Sequence, residues 1–183
     1  MKKAALLLVI FLTGCATAVP TWTPPSSSQS LSLVDAQIKP ACSNSYCYGF
    51  SLEMQNKTDR PVEIDWNRSY YTQAGQTNGG LMAEGVIISQ RNMIRAPDVI
   101  LPNGRYLKTV WPSNFTQLSI GLASAEWINQ MLPEGSQGVF ITLKQGDREE
   151  YVRSEMSMSV SYPKALPIPA MSLGGINLIN GDK

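Results

Sequence analysis

Hydrophobic and polar residues alternate with a period of two along several stretches of this chain. The clearest run covers residues 48–55 (YGFSLEMQ), in which every second residue is aromatic or aliphatic. The same alternation returns in residues 62–66, 139–144 and 156–162. This period is typical of β-strands that bury one face. Shorter strand-like segments are residues 86–89, 99–101, 105–111 and 115–120.

Turn-forming residues separate these runs. Residues 56–61 (NKTDRP) predict a turn, and therefore an antiparallel hairpin between the first two alternating runs. Residues 102–104 (PNG) predict a second hairpin turn, which would join the segments 99–101 and 105–111. Residues 145–147 (QGD) predict a further turn that reverses the chain.

One segment departs from the β pattern. Residues 122–132 (LASAEWINQML) place apolar side chains at helical spacing, and Pro133 follows, so a short helix is predicted there. Many short strands with frequent turns predict an all-β fold for residues 34–162. We expect an immunoglobulin-like two-sheet sandwich with one short helix, and a small β-barrel is the alternative. Residues 163–183 are rich in proline and predict an extended tail, lying on the domain or donated to a partner's sheet.

The amino terminus has the organisation of a secretory signal. Lys2 and Lys3 precede an unbroken apolar stretch at residues 4–12, and small residues follow. A helix of that length rises about 13 Å, which is less than half of the roughly 30 Å hydrocarbon core of a bilayer. The segment therefore predicts a processed signal peptide and not a membrane-spanning anchor.

Residues 12–15 (LTGC) resemble the lipobox of bacterial lipoprotein precursors. The resemblance implies that a signal peptide of residues 1–14 is removed and that the Cys15 thiol receives a diacylglycerol. It also implies that a fatty acyl chain such as palmitate is added to the new amino terminus. In such lipoproteins an Asp after the lipidated Cys favours the inner membrane, whereas this chain has Ala16. The implied location is the outer membrane, with the lipid-anchored protein facing the periplasm.

Residues 15–33 contain three prolines and a run of serines, and they show no periodicity. Such a composition buries too little apolar surface to offset its chain entropy, so we predict a lipidated tether. Trp22 is the exception in this segment. It is interpreted either as an incidental or membrane-interface aromatic, or as a side chain that docks on the domain or on a partner.

Composition and charge restrict the possible functions. The 183 residues include no histidine, which excludes Ser-His-Asp hydrolysis, Cys-His proteolysis and HExxH zinc sites. The formal net charge is +1, and loss of Lys2 and Lys3 with the signal peptide would change it to −1. A nucleic-acid-binding protein would carry a strongly basic face, so no nucleic-acid partner is expected.

Cysteine spacing predicts a disulfide. Besides Cys15, the chain has Cys42 and Cys47, separated by four residues, and the predicted compartment is oxidising. A metal site would need a third and fourth soft ligand, which the sequence does not offer. We therefore predict a structural Cys42–Cys47 bond, with neither a metal nor a cofactor.

One segment combines the residue types that dominate binding surfaces. Between Asp65 and Tyr71 the chain brings together a cation, an amide and three aromatic side chains, a composition enriched at binding hot spots. The alternative is a buried tryptophan with Arg and Asn side chains that satisfy the end of a strand. The candidate partner-binding residues are Trp66, Asn67, Arg68, Tyr70 and Tyr71.

Two functions remain open from the sequence. The first is a non-enzymatic envelope lipoprotein that is held in the bilayer through acylated Cys15 and whose β domain binds or scaffolds another envelope component. The second is a cell-wall glycan hydrolase, because glycosidases need only two carboxylates and no histidine. Glu63 and Asp65 are the most suggestive pair, although both also fit the exposed face of an amphipathic strand.

Overall fold

The structure is a computed structural model, and it describes residues 18–43, 46–86, 93–120 and 125–162. The predicted signal peptide, Cys15 and the predicted tail lie outside the described residues. Within the described ranges, no helix combines the length and the hydropathy that crossing a bilayer requires.

Twelve strands account for most of the described chain. Their bounds are β1 (Val19–Thr23), β2 (Ser27–Ser30), β3 (Val34–Ser43), β4 (Tyr46–Asn56), β5 (Val62–Gln73), β6 (Gln76–Ala83), β7 (Asp98–Ile100), β8 (Arg105–Pro112), β9 (Thr116–Ile120), β10 (Ala125–Asn129), β11 (Gly135–Gln145) and β12 (Arg148–Ser161). A single 3-10 turn, Ser113–Phe115, lies between β8 and β9 in this part of the chain.

Ten of these strands form one antiparallel sheet. Their order is β1-β12-β11-β5-β6-β8-β4-β3-β2, with β7 also paired to β5, and β9 and β10 form a separate hairpin. Strand β6 pairs with β5 through its first part and with β8 through its last three residues. The sheet therefore curls strongly into a half-barrel. The predicted all-β class is confirmed.

A side chain connects β2, at one end of the sheet, to β12, the strand next to the other end. The amide of Gln29 on β2 donates to the carbonyl of Arg153 on β12 and accepts from the Arg153 N–H at 3.0 Å. This amide occupies the place that a neighbouring strand's peptide group would take. It therefore satisfies two backbone hydrogen-bonding groups of β12 in the part of the strand that does not pair with β1.

Both predicted hairpin turns exist, but the strands that they join do not pair with each other. Strand β4 pairs with β3 and β8, whereas β5 pairs with β11, β6 and β7. The two turns instead hydrogen-bond to each other, from Asn56 N to Gly104 O at 2.9 Å and from Asn103 N to Thr58 O at 3.1 Å. The predicted pairing was wrong because turn residues reverse a chain without choosing its partner strand.

The predicted helix at residues 122–132 was also wrong. Residues 121–124 lie outside the described residues, and β10 occupies Ala125–Asn129. It pairs with β9 in a continuous register from Ala125–Ile120 to Asn129–Thr116. The spacing of apolar residues in so short a segment is compatible with a helix or a strand. Here the hydrogen bonds to β9 decide in favour of a strand.

The predicted tether at residues 15–33 needs correction for its folded part. Residues 19–23 form β1, which pairs with β12, and residues 27–30 form β2, which pairs with β3. Trp22 is buried, with its ring 6.1 Å from that of Phe50 in an edge-on arrangement. Burial of this ring and two strand pairings offset the chain entropy that the local composition alone would not. The domain begins earlier than residue 34.

The alternating runs bury most of the faces that their pattern predicts, although Tyr162, at the end of the last run, lies beyond β12 and is 71% exposed. Phe50, Leu52 and Met54 of β4 are fully buried, and Met156 and Met158 of β12 lie in the same core. The core therefore occupies the concave side of the curled sheet, and most of the intervening residues are at least partly exposed, with Gly49 and Thr142 as buried exceptions.

Candidate functional site

The predicted disulfide is confirmed. Cys42 and Cys47 are bonded at the end of the β3–β4 hairpin. The Cys47 side chain is buried, and its Sγ accepts a hydrogen bond of 3.0 Å from Nε1 of Trp22. The disulfide and this hydrogen bond therefore connect the end of the β3–β4 hairpin to β1.

A bulge in β5 separates the five candidate binding residues. Thr142 of β11 faces Asp65 and Phe140 faces Tyr70, so residues 66–69 of β5 lie opposite a single residue of β11. The Ser69 hydroxyl stabilises this bulge by donating to Asp65 O at 2.7 Å and accepting from Thr142 N at 3.1 Å. The side chains of β5 that point into the core are consequently even-numbered before the bulge and odd-numbered after it.

Trp66 and Tyr71 point into the core on either side of the bulge. Trp66 is 4% exposed and Tyr71 is fully buried. The Tyr71 hydroxyl donates to Oε1 of Gln137, and burial raises the pKa of this phenol. These two candidates therefore do not form an exposed binding surface.

The side chain of Asn67 hydrogen-bonds to the backbone of Arg95, in the segment that precedes β7. Its Nδ2 donates to Arg95 O at 2.8 Å, and its Oδ1 accepts from Arg95 N at 3.0 Å. An amide that satisfies both backbone groups of one residue acts like a neighbouring strand. The role of Asn67 in the structure is to position Arg95.

Arg68 and Tyr70 lie on the outer face of the sheet. The Arg68 guanidinium binds the Glu149 carboxylate through two nitrogens, at 2.5 and 2.7 Å. Tyr151 donates its hydroxyl to the same carboxylate. These contacts with Arg68 and Tyr151 lower the pKa of Glu149 and keep it ionised at neutral pH.

Aromatic rings lie on the same face of the sheet as this ion pair. Phe140 stacks on Tyr151 with ring centroids 5.0 Å apart and an interplanar angle of 29°. Tyr70 faces Phe140 across the β5–β11 pairing. Tyr70 is 37% exposed and Tyr151 is 45% exposed. We call this surface the aromatic patch, and its members are Arg68, Tyr70, Phe140, Glu149 and Tyr151.

Sequence reasoning missed three members of the aromatic patch. Phe140, Glu149 and Tyr151 lie about 70 to 80 residues beyond Arg68 and Tyr70, on strands β11 and β12. One signal was present, because Phe140 alternates in the sequence with Val139 and Ile141, which are buried, and therefore belongs to the opposite face of β11. An aromatic side chain on that face indicates an apolar position outside the core.

A separate cleft of about 280 Å³ lies beside Trp66. The guanidinium carbon of Arg95 is 5.2 Å from the Trp66 ring centroid, which is a cation–π contact. Asp98 accepts hydrogen bonds from Tyr106 at 2.6 Å and from Lys108 at 2.8 Å. Desolvation raises the pKa of Asp98, but these hydrogen bonds outweigh it and the pKa is lowered.

Of the two carboxylates considered for hydrolysis, Glu63 is exposed and Asp65 is ion-paired. Asp65 binds Lys144 at 2.6 Å. Desolvation raises the pKa of Asp65, but the contacts with Lys144 outweigh this effect, and the pKa is lowered. A groove of about 490 Å³ on the outer face of β2, β3 and β4 contains Asp35 and Glu53. Hydrogen bonds from Ser30 and Lys57 lower the pKa of Asp35. Glu53 pairs with Arg105 at 2.6 Å.

In the described ranges, no three acidic or cysteine side chains come together in a group that could hold a metal ion. Comparison of the chain with protein-family models, with curated proteins and with solved structures finds no match. The physical properties of its own surfaces are therefore the basis for assigning a function.

Proposed function

We propose that this chain is a membrane-anchored envelope lipoprotein whose β domain binds another envelope protein through the aromatic patch, without catalysing a reaction. The observation that supports this proposal best is the cluster of exposed Tyr70 and Tyr151 with half-buried Phe140 beside the Arg68–Glu149 ion pair. Tyrosine and arginine are the residues that most often dominate the energy of protein interfaces.

The aromatic patch is also well organised for binding. Its side chains are carried by three adjacent strands, β5, β11 and β12, so their positions are set by sheet register. Stacking of Phe140 on Tyr151 and the two-point ion pair of Arg68 restrict the side chains before a partner arrives. Less conformational entropy is then lost on association.

We further propose that the scaffold is the immunoglobulin-like sandwich expected from the sequence, with a small β-barrel as the alternative. Its two layers would be the halves of the curled sheet on either side of β6. The two halves share one apolar core, to which Phe50 contributes from β4 and Ile141 from β11.

The membrane anchor in this proposal is Cys15. Residues 12–15 match the lipobox pattern, and two or more acyl chains give stable membrane attachment where one chain gives only marginal binding. An outer-membrane protein facing the periplasm would present the β domain to other envelope proteins. Because the mature net charge is close to zero, attraction to anionic lipid would add little to the anchoring.

Cys15→Ser is expected to move the protein from the membrane fraction to the soluble periplasmic fraction. Serine offers no thiol for lipid transfer, so the acyl chains that hold the protein would be absent. Fractionation with immunoblotting measures the distribution, and wild type is the reference. Membrane association of the Cys15→Ser protein equal to that of wild type would contradict lipidation as the anchor.

A photo-crosslinking amino acid placed at Phe140 is expected to capture a protein partner in intact cells. The same amino acid at Tyr162, which is 71% exposed and outside the aromatic patch, is the matched control. Adding Tyr70→Ser and Tyr151→Ser should reduce capture about tenfold or more, because hot-spot side chains contribute 2 kcal/mol or more. Equal capture at both positions, or no effect of the two serines, would contradict the proposed surface.

The alternative function is a glycan hydrolase that uses two carboxylates. Such an enzyme needs one carboxyl with a raised pKa to act as a general acid. The pKa values of Asp35, Asp65 and Glu149 are instead lowered by cationic or hydroxyl partners. This chemistry favours binding over hydrolysis. Muramidase activity of the purified protein, together with no captured partner, would reverse that preference.

A further inference from the structure

The cleft beside Trp66 contains a guanidinium whose hydrogen bonding is incomplete. Nη2 of Arg95 donates to the carbonyl of Leu81, whereas Nη1 is buried and has no acceptor among the described residues. Asn67 holds both backbone groups of Arg95, so the side chain starts from a fixed position. Buried donors in folded proteins are nearly always paired, and a charged donor left unpaired is especially costly.

The neighbouring carboxylate does not supply the missing acceptor. Asp98 is already bound to Tyr106 and Lys108, and no hydrogen bond joins it to Arg95 within the described chain. Among the residues that line the cleft, Arg95 and Lys108 contribute two positive charges and Asp98 one negative charge. The cleft therefore has a net positive charge, and one of the residues that line it has an unused, buried guanidinium donor.

The remaining walls of the cleft are apolar. They are formed by the Trp66 ring and by small and aliphatic side chains, and Met93 and Ile94 at the rim are 62% and 93% exposed. At about 30 Å³ per water molecule, the volume of about 280 Å³ corresponds to roughly nine water-sized groups. The space suits a small ligand with one charged end and a short hydrocarbon body.

We propose that this cleft binds a carboxylate carried on a short apolar body. The carboxylate would be held by the Arg95 guanidinium with support from Lys108, because the planar fork of arginine matches the two oxygens of a carboxylate. The apolar body would lie against Trp66 and Ile94. A short fatty acid and the carboxyl terminus of a peptide both carry this chemistry. This site is separate from the aromatic patch and does not depend on the proposed function.

Calorimetric titration of the folded protein, purified with its disulfide intact, tests the proposal with hexanoate. Binding in the millimolar range or tighter is expected, while hexanol and hexylammonium, which share the apolar body, should bind at least about tenfold more weakly. N-acetyl-leucine, which resembles a peptide carboxyl terminus, distinguishes the two sources. Tighter binding of N-acetyl-leucine than of hexanoate indicates a peptide, and the reverse order indicates a fatty acid.

Two substitutions in the cleft should change hexanoate affinity in opposite directions. Arg95→Met removes the guanidinium and is expected to weaken binding at least about tenfold, whereas Asp98→Asn removes the competing negative charge and should strengthen it. Arg153→Met removes an exposed guanidinium outside the cleft and is the matched control. Arg95→Lys keeps a charge without the planar fork, and it replaces Arg95→Met if that variant does not fold.

Fluorescence supplies a second readout, because the ligand would touch Trp66. Hexanoate should change the emission of wild type, and Trp66→Phe should lose this change while still binding in the calorimeter. Equal binding of hexanol and hexanoate would overturn the proposal in favour of a purely apolar cleft. Absence of hexanoate binding to the folded wild type would also overturn it, since the unpaired Nη1 donor would then not mark a carboxylate site.

Discussion

Replacing Gly138 with alanine is expected to lower the free energy of unfolding by about 3 kcal/mol. A Cβ atom at this position would lie 2.0 Å from the carbonyl oxygen of Ser154 and 2.7 Å from Oγ1 of Thr72. Gly138 belongs to β11, which is paired with β5 on one side and β12 on the other. Neither neighbour can retreat without breaking its own hydrogen bonds, so the added methyl group opens the sheet.

Gly80→Ala is the matched control for this substitution. A Cβ atom at Gly80 would meet only the Ser113 hydroxyl, at 3.7 Å, which is an ordinary contact. Its effect on stability should stay within about 0.5 kcal/mol. Urea unfolding followed by tryptophan fluorescence measures both variants. If Gly138→Ala were as stable as Gly80→Ala, strands β11 and β12 could not approach each other as closely as the structure has them.

The second large effect is expected for Tyr71→Ala, which should cost about 3 to 5 kcal/mol of stability. The ring is fully buried and packs edge-on against Phe115 with centroids 5.7 Å apart. Its hydroxyl also satisfies Gln137, a buried side chain whose Nε2 donates to Pro133 O at 2.8 Å. Tyr71→Phe keeps the ring and loses only the hydroxyl, so about 1 to 3 kcal/mol is expected.

Tyr70→Ala is the natural comparison, because it removes the same side chain from the adjacent position on the outer face. Its stability should remain within about 1 kcal/mol of wild type, while partner capture through the aromatic patch should fall. Chemical denaturation and photo-crosslinking from Phe140 separate the two effects. A Tyr71→Ala protein that unfolds like wild type but captures less partner would place Tyr71 in the binding surface.

Much of the secondary structure followed from the sequence. The alternation at residues 48–55 and 156–162 predicted both the strands and the faces that they bury, since a period of two is a property of each strand by itself. The turn at residues 102–104 was predicted for a similar reason. Asn103 has a positive φ of 53° and Gly104 N bonds to Leu101 O at 2.9 Å, both within the turn.

The candidate site could be predicted only in part. Arg68 and Tyr70 were identified from composition, and they do lie on an exposed surface. Trp66 and Tyr71 came from the same composition and are buried, because the bulge between them changes the inward phase. That bulge depends on hydrogen bonds with Thr142, more than 70 residues away, and no local pattern contains this information.

The sequence by itself determined the regularly alternating strands, the turns between them and the Cys42–Cys47 pairing, because each depends on residues that are neighbours in the chain. It also supplies the lipobox resemblance on which the proposed anchor rests. Only the tertiary structure decided that β4 and β5 do not pair, that residues 19–30 join the sheet, and that Arg68 meets Glu149. Strand pairing is a competition among distant segments for the same hydrogen bonds and the same core, so its outcome is a property of the whole chain.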